Sequence, residues 1–140
     1  MNVSISEFGL RPIGIVRSGL SDRDVAPKQG NEGAPDAWIE IDEYLVDALS
    51  GLEPGAEIIV LTWLHLGRRH VLRVRPHSDP ANTKRGVFST RSPDRPNPIG
   101  LHRVTILEVN GTRIHVDKME AVDGTPVLDI KPVRRAHDDS

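Results

Sequence analysis

The sequence predicts an all-β domain with one short helix, its antiparallel strands closed, or nearly closed, into a barrel. Three observations predict this. Strand signals are short, frequent and separated by Gly, Pro, Asn and Asp. Asn110-Gly111 lies between two β-branched runs, residues 104–109 and 113–116. That is the strongest two-residue hairpin signal, because a type I′ turn needs φ > 0 at both central positions. No βαβ alternation and no GxGxxG occurs, so no Rossmann nucleotide site is expected.

The elements follow in chain order. Residues 13–18 form a first strand, entered through Pro12. Residues 21–36 carry Pro27, Gly30, Gly33 and Pro35 among polar residues and read as a long loop, a length that usually serves function or stays disordered. Residues 38–41 are a second strand. Residues 43–49 are the helix candidate: Asp42 caps it, Leu45, Val46 and Leu49 line one side, and Gly51 follows. Residues 57–65 are nearly all apolar, as in a strand buried on both faces. Residues 70–75 alternate, with Leu72 and Val74 opposite Arg73 and Arg75. Residues 86–90 are a short strand. After the 104–116 hairpin, Asp123-Gly124 marks a tight turn. Residues 127–131 then place Leu128 and Ile130 inward, Asp129 and Lys131 outward.

Composition narrows the functional classes. At 140 residues, with 37% hydrophobic and 27% charged, the chain is expected to be one soluble globular domain. It has no cysteine, which excludes disulfides, thiolate nucleophiles and Cys-ligated zinc. Two histidine pairings, His65 with His70 and His115 with Asp117, fall short of a zinc signature, so no metal is expected. No apolar run reaches membrane-spanning length, and MNVSISEFGLRP lacks a signal-peptide pattern. The cytoplasm, with no membrane partner, is the expected location. Net charge is −2 but unevenly spread: residues 68–103 hold nine basic and two acidic side chains, and the remainder nine and eighteen. A patch of that size suits a phosphate backbone, unless its arginines pair with the acidic regions.

The stretch GVFSTRSPDRPNPIGL, residues 86–101, carries the most chemical information. Pro93, Pro96 and Pro98 each fix φ and lack an N–H, and they push Ser92, Arg95 and Asn97 toward extended geometry. The result is a rigid ledge presenting Arg91, Arg95, Asn97 and main-chain carbonyls to a ligand. A guanidinium matches a carboxylate or phosphate bidentately, which makes Arg91 the first anchor and Arg95 the second. By alternation Arg91 lies opposite Phe88.

Four segments together resemble one family: IGIVRS at 13–18, Pro27-Lys28-Gln29, the ledge, and VDGTPVLDIKP at 122–132. They look like the TsaA-like, or TrmO-like, family of S-adenosylmethionine-dependent tRNA methyltransferases. The resemblance runs from about residue 11 to residue 132, within one TsaA-like β-barrel domain spanning 1–140. It implies S-adenosyl-L-methionine as cofactor and tRNA as substrate, with methylation at N6 of the threonylcarbamoyl-modified adenosine beside the anticodon. It also implies a homodimer with the cofactor near the subunit interface. Matching positions make Pro27, Lys28, Gln29, His65, Leu66, Arg91, Leu101, Asp123, Gly124, Thr125 and Pro126 the expected cofactor contacts, beside Arg95 and Asn97 from the ledge. Here Gly19 follows Ser18 where the family often has proline, and Leu64 precedes His65 where it often has an aromatic. Methyl transfer from a sulfonium is an in-line displacement that needs positioning rather than an enzyme nucleophile. His65 and Asp123 are the candidate catalytic bases. For His65 a structural role at a strand end competes with that reading, for Asp123-Gly124 a plain turn, and for Leu101 the core. The alternative function is a non-catalytic β-barrel that binds S-adenosylmethionine-like nucleotides or RNA; a hydrolase has no nucleophile constellation here.

Overall fold

A computed structural model describes residues 8–19, 35–76, 81 and 83–134. Among the described residues there are eight strands: β1 Gly14–Arg17, β2 Ala37–Ile41, β3 Glu57–Trp63, β4 Arg73–Val74, β5 Arg85–Gly86, β6 Ile99–Asn110, β7 Arg113–Val116 and β8 Pro126–Pro132. Six of them form a closed antiparallel ring in the order β1-β2-β7-β6-β3-β8, and β8 returns to β1. β4 and β5 make a separate two-stranded ribbon. No helix among the described residues is long and apolar enough to cross a membrane.

One side of each strand fills the ring. Val16, Ile39, Ile58, Val60, Ile106, Ile114 and Val116 are fully buried. Each contributes roughly 1.5–3 kcal/mol by leaving water. The interior changes character along the β3–β6 pair. Ile58 faces Val104, Val60 faces His102, and Thr62 faces Gly100. Apolar layers thus close one end, and a polar layer opens toward the ledge.

Several sequence expectations are corrected. The helix expected at 43–49 is present, as a 3-10 helix, Glu43–Leu49, in which Leu45 N–H bonds Asp42 C=O three residues back, but the Asp42 side chain makes no cap. Leu49 is buried and Leu45 packs on the core, but Val46 is exposed. β3 is not buried on both faces: Ile58, Val60 and Thr62 point inward, while Ile59, Leu61 and Trp63 are half-buried outside. The 70–75 strand shrinks to Arg73–Val74, and Leu72 is exposed. The expected strand at 86–90 is a 3-10 turn, Val87–Ser89, with Phe88 82% exposed.

The hairpin forms one residue later than Asn-Gly implies. Asn110 pairs with Arg113, so the central residues are Gly111 and Thr112. Gly111 has φ 63° and Thr112 is not in the positive-φ region, the pattern of a type II′ turn with Gly first. Asp123-Gly124 is a turn as expected, with Gly124 at φ 86° and Thr125 N–H closing onto Val122 C=O. In β8 the register shifts where Leu61 faces Asp129 but Thr62 faces Val127, leaving Leu128 as a bulge. Val127 and Ile130 therefore both share the face of inward β3 residues, and Leu128 does not alternate with Ile130 as expected.

Candidate functional site

The ledge, residues 91–98, has no regular structure and is held by a dense local bond set. Thr90 Oγ1 donates to Val87 C=O, Ser92 N–H to Thr90 Oγ1, and Asp94 N–H to Ser92 Oγ. Arg95 Nη1 donates to the Thr90 and Ser92 carbonyls, both at 3.0 Å. Arg69 reaches from the neighbouring loop, with Nε on Pro96 C=O at 2.6 Å and Nη2 on Asn97 Oδ1 at 3.0 Å, while stacking on Trp63. Leu64 N–H bonds Pro98 C=O, and Ile99 N–H bonds Asn97 C=O.

Two expectations change here. The carbonyls of Thr90, Ser92, Pro96, Asn97 and Pro98 accept bonds from the protein itself rather than standing open. Arg95 acts as a staple inside the ledge, its Nη1 spent on main chain. Rigidity thus comes from bonding as well as from proline.

The ledge rests on the loop after β3. Buried Asp94 accepts from Arg68 N–H and Arg68 Nη2, both at 2.9 Å. The Asp94 carboxylate, by hydrogen bond and charge, raises the Arg68 pKa above its usual value. Gly67 is required at this seam: a Cβ there would collide with the Pro93 carbonyl oxygen. Some arginines of the basic stretch are therefore paired, Arg68 with Asp94 and Arg103 with Glu57. Arg91 is exposed and makes no bond or ion pair among the described residues.

Between ledge, barrel mouth and the segment linking β7 to β8 lies an open cleft of about 1600 Å³. Of the expected site residues, His65, Leu66, Arg91, Arg95, Asn97, Leu101 and Thr125 line it. Phe88 lines it too, on the same side as Arg91, because the 3-10 turn removes the alternation that would have opposed them. Leu101 is 45% exposed on the outer face opposite Leu61, not core. Thr125 is buried, its hydroxyl on Val122 C=O. Asp123, Gly124 and Pro126 flank the cleft but do not line it. Asp123 Oδ1 accepts from Ser18 N–H, and Oδ2 lies 3.8 Å from Arg17 Nη1, which ties β1 to this turn. Pro27, Lys28 and Gln29 lie outside the described residues.

Three cleft residues were not found in the sequence. Lys118 and Glu120 come from the β7–β8 segment, where Lys118 takes φ 50° and Met119 and Ala121 are buried between and beside them. Burial raises the Glu120 pKa. His102 stands inside the mouth, its Nε2 2.9 Å from Thr62 Oγ1. Burial lowers its pKa to about 4, so the ring is neutral at pH 7. The signal was present: Gly100, His102 and Val104 alternate on one strand face. Gly100 ends the ledge motif for a packing reason. A Cβ there would collide with Thr62 Oγ1, and would lie 2.9 Å from both His102 Nε2 and Leu64 Cδ2.

A family profile described as the tRNA-methyltransferase O N-terminal domain matches residues 15–139. A Methanothermobacter thermautotrophicus protein named "Probable S-adenosyl-L-methionine-binding protein" is 48% identical over 130 residues, 93% of this chain and 93% of its own. An Archaeoglobus fulgidus "S-adenosyl-L-methionine-binding protein" is 46% identical over 122 residues, 87% of this chain and 86% of its own. Two crystal structures of TrmO from Pseudomonas aeruginosa align with TM-scores of 0.76 and 0.73, each at 30% identity, covering 99% and 96% of this chain. The chain spans only 60% and 59% of those solved chains. With the match running through nearly the whole ring and the ledge, the chain belongs to the tRNA-methyltransferase O N-terminal domain family.

Proposed function

We propose that the protein is an S-adenosyl-L-methionine-dependent methyltransferase acting on tRNA, at N6 of the threonylcarbamoyl-modified adenosine beside the anticodon. The observation that carries this is the unpartnered Arg91 guanidinium on a bonded, proline-stiffened ledge at the rim of a wide cleft. The residues present fit the cofactor's chemistry. Arg91 is available for its amino-acid carboxylate, and the exposed Leu66 and Leu101 side chains offer apolar surface to its nucleoside. When bound, the cofactor supplies an electrophilic methyl group on a sulfonium. The protein's part is to hold the acceptor in line and keep the ledge rigid, which Arg95, Arg69 and Asp94 do through main-chain bonds. The cationic rim, including Arg73, Arg75 and Arg91, supports an RNA backbone as the larger ligand.

The homodimer belongs to the same proposal; Ile99 and Leu101 on the exposed outer face of β6 are surface a second subunit can cover. Relatives named only for binding S-adenosyl-L-methionine favour a second reading, a binding module without catalysis. One experiment separates them. The protein is incubated with methyl-labelled S-adenosylmethionine and total tRNA, and the digested nucleosides are identified. Label in N6-methyl-threonylcarbamoyladenosine supports the enzyme. Cofactor binding without label in any nucleoside leaves the binding module.

A further inference from the structure

The polar end of the barrel holds a histidine that reaches both the interior and the cleft. His102 faces Val60 across the β3–β6 pair and so points into the barrel, yet it also lines the cleft. One nitrogen, Nε2, is anchored on Thr62 Oγ1, and Thr62 is itself fully buried. The other, Nδ1, has no hydrogen-bond partner among the described residues. No buried side-chain nitrogen or oxygen among the described residues lacks a hydrogen bond, so Nδ1 is not sealed in but opens to the cleft. The site is built around this ring. Gly100 leaves the space that the Thr62–His102 contact occupies, and any side chain at 100 would displace it.

We propose that His102 is a catalytic residue, whose Nδ1 takes the proton that the acceptor amine sheds as it is methylated. This rests on the methyltransferase reading above. The acceptor nitrogen forms the new C–N bond with its lone pair while the C–S bond breaks, its electron pair staying on sulfur. The nitrogen then carries a positive charge and a strongly acidic proton, which passes to Nδ1. The imidazolium formed passes it to water. Burial keeps the ring neutral at pH 7, so Nδ1 is able to accept a proton. The proposal requires Nε2–H to donate to Thr62 Oγ1, the tautomer that leaves Nδ1 bare. The two earlier candidates are placed less well. His65 is exposed at the rim, and the Asp123 carboxylate is held by Ser18 N–H outside the cleft lining. The β3 neighbours Val60 and Thr62 are uncharged. The charged groups lining the cleft are Lys118 and Glu120 from one wall, Arg91 and Arg95 from the ledge, Asp94 with Arg68, and Arg73, Arg75 and Arg103.

The test begins without catalysis. Long-range 15N–1H spectra of the full chain, with the His102 ring assigned by comparison with His102→Gln, report which nitrogen carries the proton at pH 7. A bare Nδ1 with a protonated Nε2 is expected; a proton on Nδ1 overturns the proposal. Single-turnover methylation of tRNA is then compared for wild type, His102→Gln and His102→Ala, with S-adenosylmethionine affinity measured by calorimetry. The variants should bind the cofactor as wild type does and react at least about 100-fold slower, the usual contribution of a positioned base. Added imidazole should restore rate to His102→Ala and leave wild type unchanged. Variant rates near wild type, or lost rate that imidazole does not restore, overturn it. Should His102→Ala not fold, His102→Gln and the tautomer measurement still decide. Wild type that binds the cofactor but methylates no RNA overturns both this proposal and the function it rests on; active wild type with a dispensable His102 overturns this proposal alone.

Discussion

Burial of the His102 ring makes stability depend on pH in a calculable way. The imidazole pKa is 6.5 when the chain is unfolded and about 4 in the folded protein, where burial penalises the charged ring. The unfolded chain therefore binds this proton first as pH falls. Stability from this residue is intact above pH 6.5, is lost progressively between pH 6.5 and about 4, and changes no further below that. Linkage over that window gives a loss of about 2 kcal/mol between pH 7 and pH 5, and about 3 kcal/mol by pH 4. The perturbation is His102→Gln, which removes the titration and keeps a polar group near Thr62. The assay is urea unfolding of both proteins at pH 7 and pH 5. Other groups titrate too, Glu120 in the opposite sense because burial raises its pKa, but they are common to both proteins and cancel in the difference. Wild type should lose about 2 kcal/mol more than the variant on going from pH 7 to pH 5. Equal losses would mean that His102 is solvated, and would refute the burial argument.

Three further predictions concern the ledge, the barrel mouth and the β6–β7 turn. Gly100→Ala places a Cβ against Thr62 Oγ1 and His102 Nε2 and should cost about 1–3 kcal/mol in urea unfolding; a neutral effect would show the mouth to be loosely packed. Gly111→Ala, at φ 63°, should cost about 1 kcal/mol, while Asn110→Ala, a paired strand residue, should be nearly neutral. The reverse order would restore the Asn-Gly turn. Arg95→Met removes the donor to the Thr90 and Ser92 carbonyls, so it should loosen the ledge and weaken cofactor binding on calorimetry. Full affinity would show that the ledge keeps its shape without the Arg95 bonds.

The ledge was legible in sequence because proline and arginine announce themselves locally, and the ring was legible because short alternating runs leave few other options. What sequence could not supply was tertiary. The Asn-Gly signal was overruled by β6, which runs one residue further and moves the turn onto Gly111-Thr112. The β8 bulge at Leu128 depends on how two strands meet, so alternation alone misassigned the inward residues. Arg95 looked like a ligand anchor, and its spending on carbonyls of its own loop depends on how that loop folds back. Lys118 and Glu120 reach the cleft only because the ring brings residues 117–122 across from the ledge. Nothing local marks His102, which stands just after a motif full of arginines; only the alternation Gly100-x-His102-x-Val104 places it on an inward face.

The central claim is that the cleft beside the ledge holds the methyl donor through Arg91. Calorimetric titration of S-adenosylmethionine into wild type and Arg91→Ala tests it most directly. A charge-assisted pair contributes roughly 1.5–3 kcal/mol, so the variant should bind about 10- to 100-fold more weakly while unfolding at the same urea concentration. Unchanged affinity in a folded Arg91→Ala protein would contradict the claim.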